Sequence, residues 1–141
     1  MSGVVVVGVD ESERSASAAA TAVRVAAALG CDLHAVFVTH VPASMLAVLA
    51  GVPAAASDYA AAQRAAVWSR VGPALDGAGI PVTRVDLEGY PPDTLVSYAA
   101  EVEAEMIVVG SRGRGDLASL VLGSTSHRLL NHAPCDVLVA R

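Results

Sequence analysis

The stretch Met106-Ile107-Val108-Val109-Gly110-Ser111-Arg112-Gly113-Arg114-Gly115-Asp116-Leu117-Ala118-Ser119-Leu120-Val121-Leu122-Gly123-Ser124 decides the fold of this chain. Its first four residues are apolar and mostly β-branched, which reads as a short strand buried on both faces. Gly110 ends the run, and Gly113 and Gly115 follow at once. Glycines so placed let the backbone adopt positive φ and turn its N–H groups toward one point, a concave anion site. The apolar residues 117–122 then lead to Gly123-Ser124-Thr125-Ser126. That is a hydroxyl-rich helix start, where unpaired N–H groups and the helix dipole favour a phosphate. Arg112 and Arg114 stand between the glycines, placed either to clamp an anion bidentately or to face solvent. From these residues alone the stretch is a phosphate cradle or a plain tight turn with a helix cap.

Outward from this stretch, the chain alternates strand and helix throughout. Residues 4–9 are near-continuous aliphatic, the mark of a central parallel strand. Asp10-Glu11-Ser12-Glu13 follows as an acidic, hydroxyl-bearing helix start, with a helix expected over 12–29 and stopped by Gly30. A second strand spans 33–39 and ends at His40-Val41-Pro42. Residues 42–58 read as a loop with room for a short helix at Met45-Leu46-Ala47-Val48-Leu49. Asp58 is the expected cap of a second long helix to residue 75, with Gly72-Pro73 as a kink or an early end. Residues 81–87 alternate, with Arg84 and Asp86 on one face, which points to a sheet edge. Gly89-Tyr90-Pro91-Pro92-Asp93 turns into a helix over 93–104. The 106–110 strand, a helix over 124–131 stopped by Pro134, and a last strand over 137–140 complete the chain.

This alternation predicts a single α/β domain over residues 1–141, with a five-stranded parallel sheet and helices on both faces. Right-handed crossovers allow a doubly wound sheet of order 3-2-1-4-5. Its switch point lies between the first and fourth strands, and ligands of such sheets bind there, outside the carboxyl ends. Asp10 and Gly110 both close strands at that point. Three acids beside the first strand repel phosphates, so that end suits a sugar or base and the Gly110 side suits the phosphates.

Gly110-x-x-Gly113, nine further residues, then Gly123-Ser124 resembles the nucleotide-binding signature of the universal stress protein family. The resemblance runs from the first strand, which ends in Asp10, to the closing Val137-Leu138-Val139, essentially the whole chain, and is weakest over 42–58. It implies that Gly110, Gly113, Gly123 and Ser124, with Thr125, contact the phosphates and ribose of ATP accompanied by Mg²⁺. Asp10, together with Gly8 and Val9 on the same strand end, would meet the nucleoside. His40 or its neighbour Val41 would lie against adenine, and Arg112 against the phosphates. Glu11 stands where many members have glycine, which adds charge beside the nucleoside. The resemblance also implies a homodimer paired along the last strand through Val137, Leu138 and Val139, since an apolar edge otherwise invites association. The function it implies is an adenine-nucleotide-dependent sensor or switch in a stress response. Cyclic AMP is not separated from ATP by these residues. A nucleotide-free dimeric interaction module of the same fold, or a slow ATPase, is the alternative.

Composition narrows the classes further. The net charge is −5, so no basic surplus exists for nucleic acid or an anionic membrane. All nine cationic side chains are arginine, which excludes a P-loop lysine and a Schiff base. Cys31 and Cys135 fit a reducing compartment rather than a disulfide framework, and the start of the chain has no basic leader pattern, so a cytoplasmic location is expected. Gly113-Arg114-Gly115-Asp116-Leu117-Ala118 matches a dinucleotide fingerprint, yet too little chain follows to build the second half of such a fold. The histidines at 34, 40, 127 and 132 lack metal-ligand spacing. No base to activate water is evident, so turnover is not expected beyond slow hydrolysis.

Overall fold

The computed structural model describes residues 2–40, 43–111 and 124–141. Ten elements follow in order: β1 (Val4–Val9), α1 (Arg14–Leu29), β2 (Asp32–Thr39), α2 (Ala43–Leu49), α3 (Pro53–Asp76), β3 (Val82–Glu88), α4 (Pro91–Glu101), β4 (Met106–Gly110), α5 (Ser124–His132) and β5 (Asp136–Ala140). The strands form one parallel sheet of order β3-β2-β1-β4-β5, as the alternation predicts. β1 lies at its centre, with Val6 beside both His34 and Ile107.

Alternation of the strand side chains splits the core into two layers. Val5, Val7, Val9, Leu33, Ala35, Phe37 and Val108 face α1 and α3. Val6, Val36, Val38, Ile107 and Val109 face α4 and α5. The buried stripe of α1 is Ser15, Ala18, Ala19, Ala22 and Ala26, a helical spacing made of small residues, so this helix lies close on the sheet. It stops at Gly30, whose φ of 67° is the left-handed cap that glycine adopts without strain.

The starts of α3 and α4 differ from the sequence expectation. α3 starts at Pro53, where a missing N–H costs nothing, so Asp58 lies inside the helix rather than capping it. The same helix continues through Pro73 to Asp76, because that proline is exposed and falls in the last turn. α4 likewise begins at Pro91, with both prolines in its first turn, two residues before Asp93. The apolar cluster at 45–49 does form a helix, α2.

At the two edges, β3 places Arg84 and Asp86 under α3. There the Trp68 indole N–H donates to Asp86 at 3.0 Å, and the Arg84 guanidinium lies 5.5 Å from the Trp68 ring centroid. β5, the opposite edge, is half-buried along Val137, Leu138 and Val139. Among the described residues no helix is long and apolar enough to cross a membrane.

Candidate functional site

The switch point lies between β1 and β4, and each strand ends there on a candidate residue. Asp10 follows β1 and is half-buried. Its backbone N–H donates to the Ser15 hydroxyl at 2.7 Å, and that hydroxyl donates back to Asp10 Oδ1 at 2.8 Å. The Ser12 N–H also donates to Oδ1, at 2.8 Å. Asp10 therefore closes an Asx-type turn and does not cap α1, whose N-cap is Glu13 and whose first residue is Arg14. The carboxylate is fixed at the mouth by the first turn of α1. Ser15 is 3% exposed, a buried polar residue fully engaged in this contact.

Gly8 and Val9 precede it on β1. Val9 is buried in the layer beneath α1, so its side chain belongs to the core. At Gly8 a Cβ would stand 2.8 Å from Leu95 Cδ1, so α4 uses the space a side chain would take. A packing role for Gly8 is thereby visible. On the other strand, Gly110 pairs with Ala140, and Ser111 N–H donates to the Ala140 carbonyl at 2.8 Å.

His40 follows β2 and is exposed, with its ring 6.0 Å from that of Tyr90 and 67° from parallel. Gly89 precedes Tyr90 with a φ of 142°, and a Cβ there would meet Thr94 Oγ1 at 2.6 Å. Val41, Arg112, Gly113 and Gly123 lie outside the described residues, as do the side chains of Ser124 and Thr125. Ser124 opens α5 on the same carboxyl edge of the sheet.

Sequence reasoning missed Arg128. It sits one turn beyond Ser124, its Nε donates to Asp93 Oδ1 at 2.8 Å, and its guanidinium lies 5.7 Å from the Tyr90 ring centroid. The Asp93 hydrogen bond and charge push the Arg128 guanidinium above its ordinary value, so this cation stays charged. The available signal was the four-residue step from Ser124 to Arg128, which puts both on one helix face. The 35-residue separation of Arg128 and Asp93 left no local pattern.

Comparison with known proteins agrees with this fold. The model of the universal stress protein family matches residues 1–141. A universal stress protein of Methanocaldococcus jannaschii is 27% identical over 97% of this chain and 81% of its own length. A universal stress protein of Mycobacterium tuberculosis is 36% identical over 97% of this chain, which spans only 45% of that relative. Among solved structures, a universal stress protein in complex with cAMP superposes with a TM-score of 0.71, at 28% identity, covering 99% of this chain and 97% of that one.

Proposed function

The chain belongs to the universal stress protein family, and we propose that it holds an adenine nucleotide, ATP with Mg²⁺, at the carboxyl edge between β1 and β4. The observation that carries this is the locked Asp10 carboxylate, an acceptor fixed beside the switch point by Ser12 and Ser15. A ribose hydroxyl is the donor such an acceptor suits, and a pre-positioned carboxylate binds it without an ordering cost. The start of α5, with Gly110, Gly113 and Gly123, suits the phosphates, because a helix N-terminus presents N–H groups and a positive dipole end. Arg112, Ser124 and Thr125 join them there, and His40 or Val41 lies toward the base. The solved relative that holds cAMP supports the ligand class.

Binding, rather than turnover, is the proposed activity. Occupancy would alter the segment between Gly110 and Gly123 and thereby a surface that a partner reads, which makes the protein a sensor or switch. Two copies pair along β5 through Val137, Leu138 and Val139, because that apolar strand is a sheet edge. The proposed setting is one domain in the cytoplasm, with no nucleic acid or membrane partner, in keeping with the net charge of −5.

Chromatography of the small molecules released when the purified protein is denatured tests the assignment. An adenine nucleotide in near-stoichiometric amount is the expected result. Release of none, with no binding in titration, would favour a nucleotide-free interaction module instead.

A further inference from the structure

α4 and α5 pack on the same face of the sheet, and their boundary lies over the switch point. Leu95 of α4 fills the space above Gly8 in β1, while Leu129 of α5 joins Ile107 and Val109 of β4 in the same core layer. Both helices run antiparallel to the strands, so both begin at the carboxyl edge. One ion pair bridges those beginnings. Asp93, the third residue of α4, accepts from Arg128 Nε at 2.8 Å and, less closely, from Arg128 Nη2 at 3.5 Å. Helical side chains lean toward the helix N-terminus, so Arg128 reaches back over the turn that starts at Ser124. Tyr90 lies under its guanidinium and also edges His40 at the end of β2.

Stability alone is a poor reason for this pair. The two side chains are 47% and 56% exposed, and ion pairs so open to solvent contribute little. A guanidinium has five N–H donors, and the Asp93 contact uses two of them. The other three N–H groups are not directed at Asp93, and they belong to a cation one turn from the start of α5.

Resting on the nucleotide assignment above, we propose that Arg128 is a phosphate-binding residue of the crevice and that Asp93 sets its strength. Asp93 orients the fork and partly cancels its charge. The pair thereby makes affinity depend on how many phosphate charges the nucleotide carries, which separates ATP from AMP and cyclic AMP. Tyr90 is a positioning residue that holds the guanidinium from below.

Opposite signs for the two partners of one salt bridge make the test. ATP and adenosine are titrated into nucleotide-stripped wild type, Arg128→Gln, Arg128→Lys and Asp93→Asn, with melting curves to confirm folding. Arg128→Gln should weaken ATP by about tenfold, the loss of one charge-assisted hydrogen bond, and leave adenosine within about twofold. Arg128→Lys should restore part of the loss, since it keeps the charge without the fork. Asp93→Asn should tighten ATP by about threefold, because a competing carboxylate is gone. A purely structural bridge would instead make both partners' variants weaken ATP and adenosine alike, and that result overturns the assignment of Arg128. ATP affinity untouched in every variant also overturns it. A wild type that binds no adenine nucleotide refutes the nucleotide assignment itself, and the role of Arg128 falls with it.

Discussion

Asp10 and Ser15 hold each other from both sides, the serine hydroxyl accepting from the Asp10 N–H at 2.7 Å and donating to its carboxylate at 2.8 Å. One hydroxyl thus ties the end of β1 to the first turn of α1. Ser15→Ala removes it and leaves the Asp10 N–H without that acceptor in a place where Ser15 is 3% exposed. We expect a loss of about 1–3 kcal/mol in urea unfolding, the cost of an unmet buried polar group. Nucleotide affinity should fall as well, since the carboxylate loses one of its two anchors. Unchanged affinity in a folded Ser15→Ala protein would remove Asp10 from the site.

Gly8 separates packing from binding. A Cβ there meets Leu95 Cδ1 at 2.8 Å and Val109 Cγ1 at 3.4 Å, and Leu95 is buried. Gly8→Ala should cost about 1–3 kcal/mol through overpacking, seen as a lower urea midpoint. Pairing it with Leu95→Val, which shortens the obstructing side chain, should cost less than the two single changes added together. Strict additivity would show that Leu95 is not what the new methyl group meets.

Both thiols sit above their ordinary range. Burial pushes Cys31 up, reinforced by the charges of Glu105 and Asp32. Burial likewise raises Cys135, with Asp136 beside it. A folded-state value above the unfolded one means that the unfolded chain releases its proton first as pH rises. The stability these thiols contribute is therefore whole below the unfolded thiol value, about 8.5, and is lost as pH climbs through the folded value. Urea midpoints should drop as pH rises above about 8.5, and Cys31→Ala should flatten part of that slope. Native protein should also resist alkylation at neutral pH and react readily once unfolded. An intrachain disulfide should not form under mild oxidant. β2 and β5 are three strand spacings apart, about 14 Å, against a limit of about 7 Å.

Leu138 lies mid-strand on the open edge. If two copies meet there, Leu138→Lys should give monomer in sedimentation velocity while the melting transition stays cooperative. A dimer that survives the change would place the interface elsewhere.

The sheet order was legible because β1, β4 and β5 are near-continuous aliphatic runs and β3 alternates as an edge strand does, with helical stretches between them, of which the one stopped at Gly30 is the plainest. The α1 stripe was legible for the same reason: small residues at helical spacing. Other features depended on which of two local signals prevailed. Pro53 and Asp58 both qualify as helix starts, and the helix begins at the proline, whose missing N–H costs nothing there. Asp10 had the look of a helix cap, yet Ser15 captures its carboxylate one turn early. The pairs that complete the mouth, Arg128 with Asp93 and His40 with Tyr90, join residues far apart in the chain. No periodicity marks such contacts, so only the fold reveals them. Arg112, Gly113 and Gly123, which carry the phosphate signature, rest on sequence alone.

Calorimetric titration of nucleotide-stripped protein with ATP and Mg²⁺ tests the central claim most directly. Saturable binding near one nucleotide per chain, abolished by Gly113→Ala and reduced by Asp10→Asn with melting curves intact, is the predicted result. No heat at several temperatures, together with no thermal shift from ATP or cyclic AMP, would contradict it.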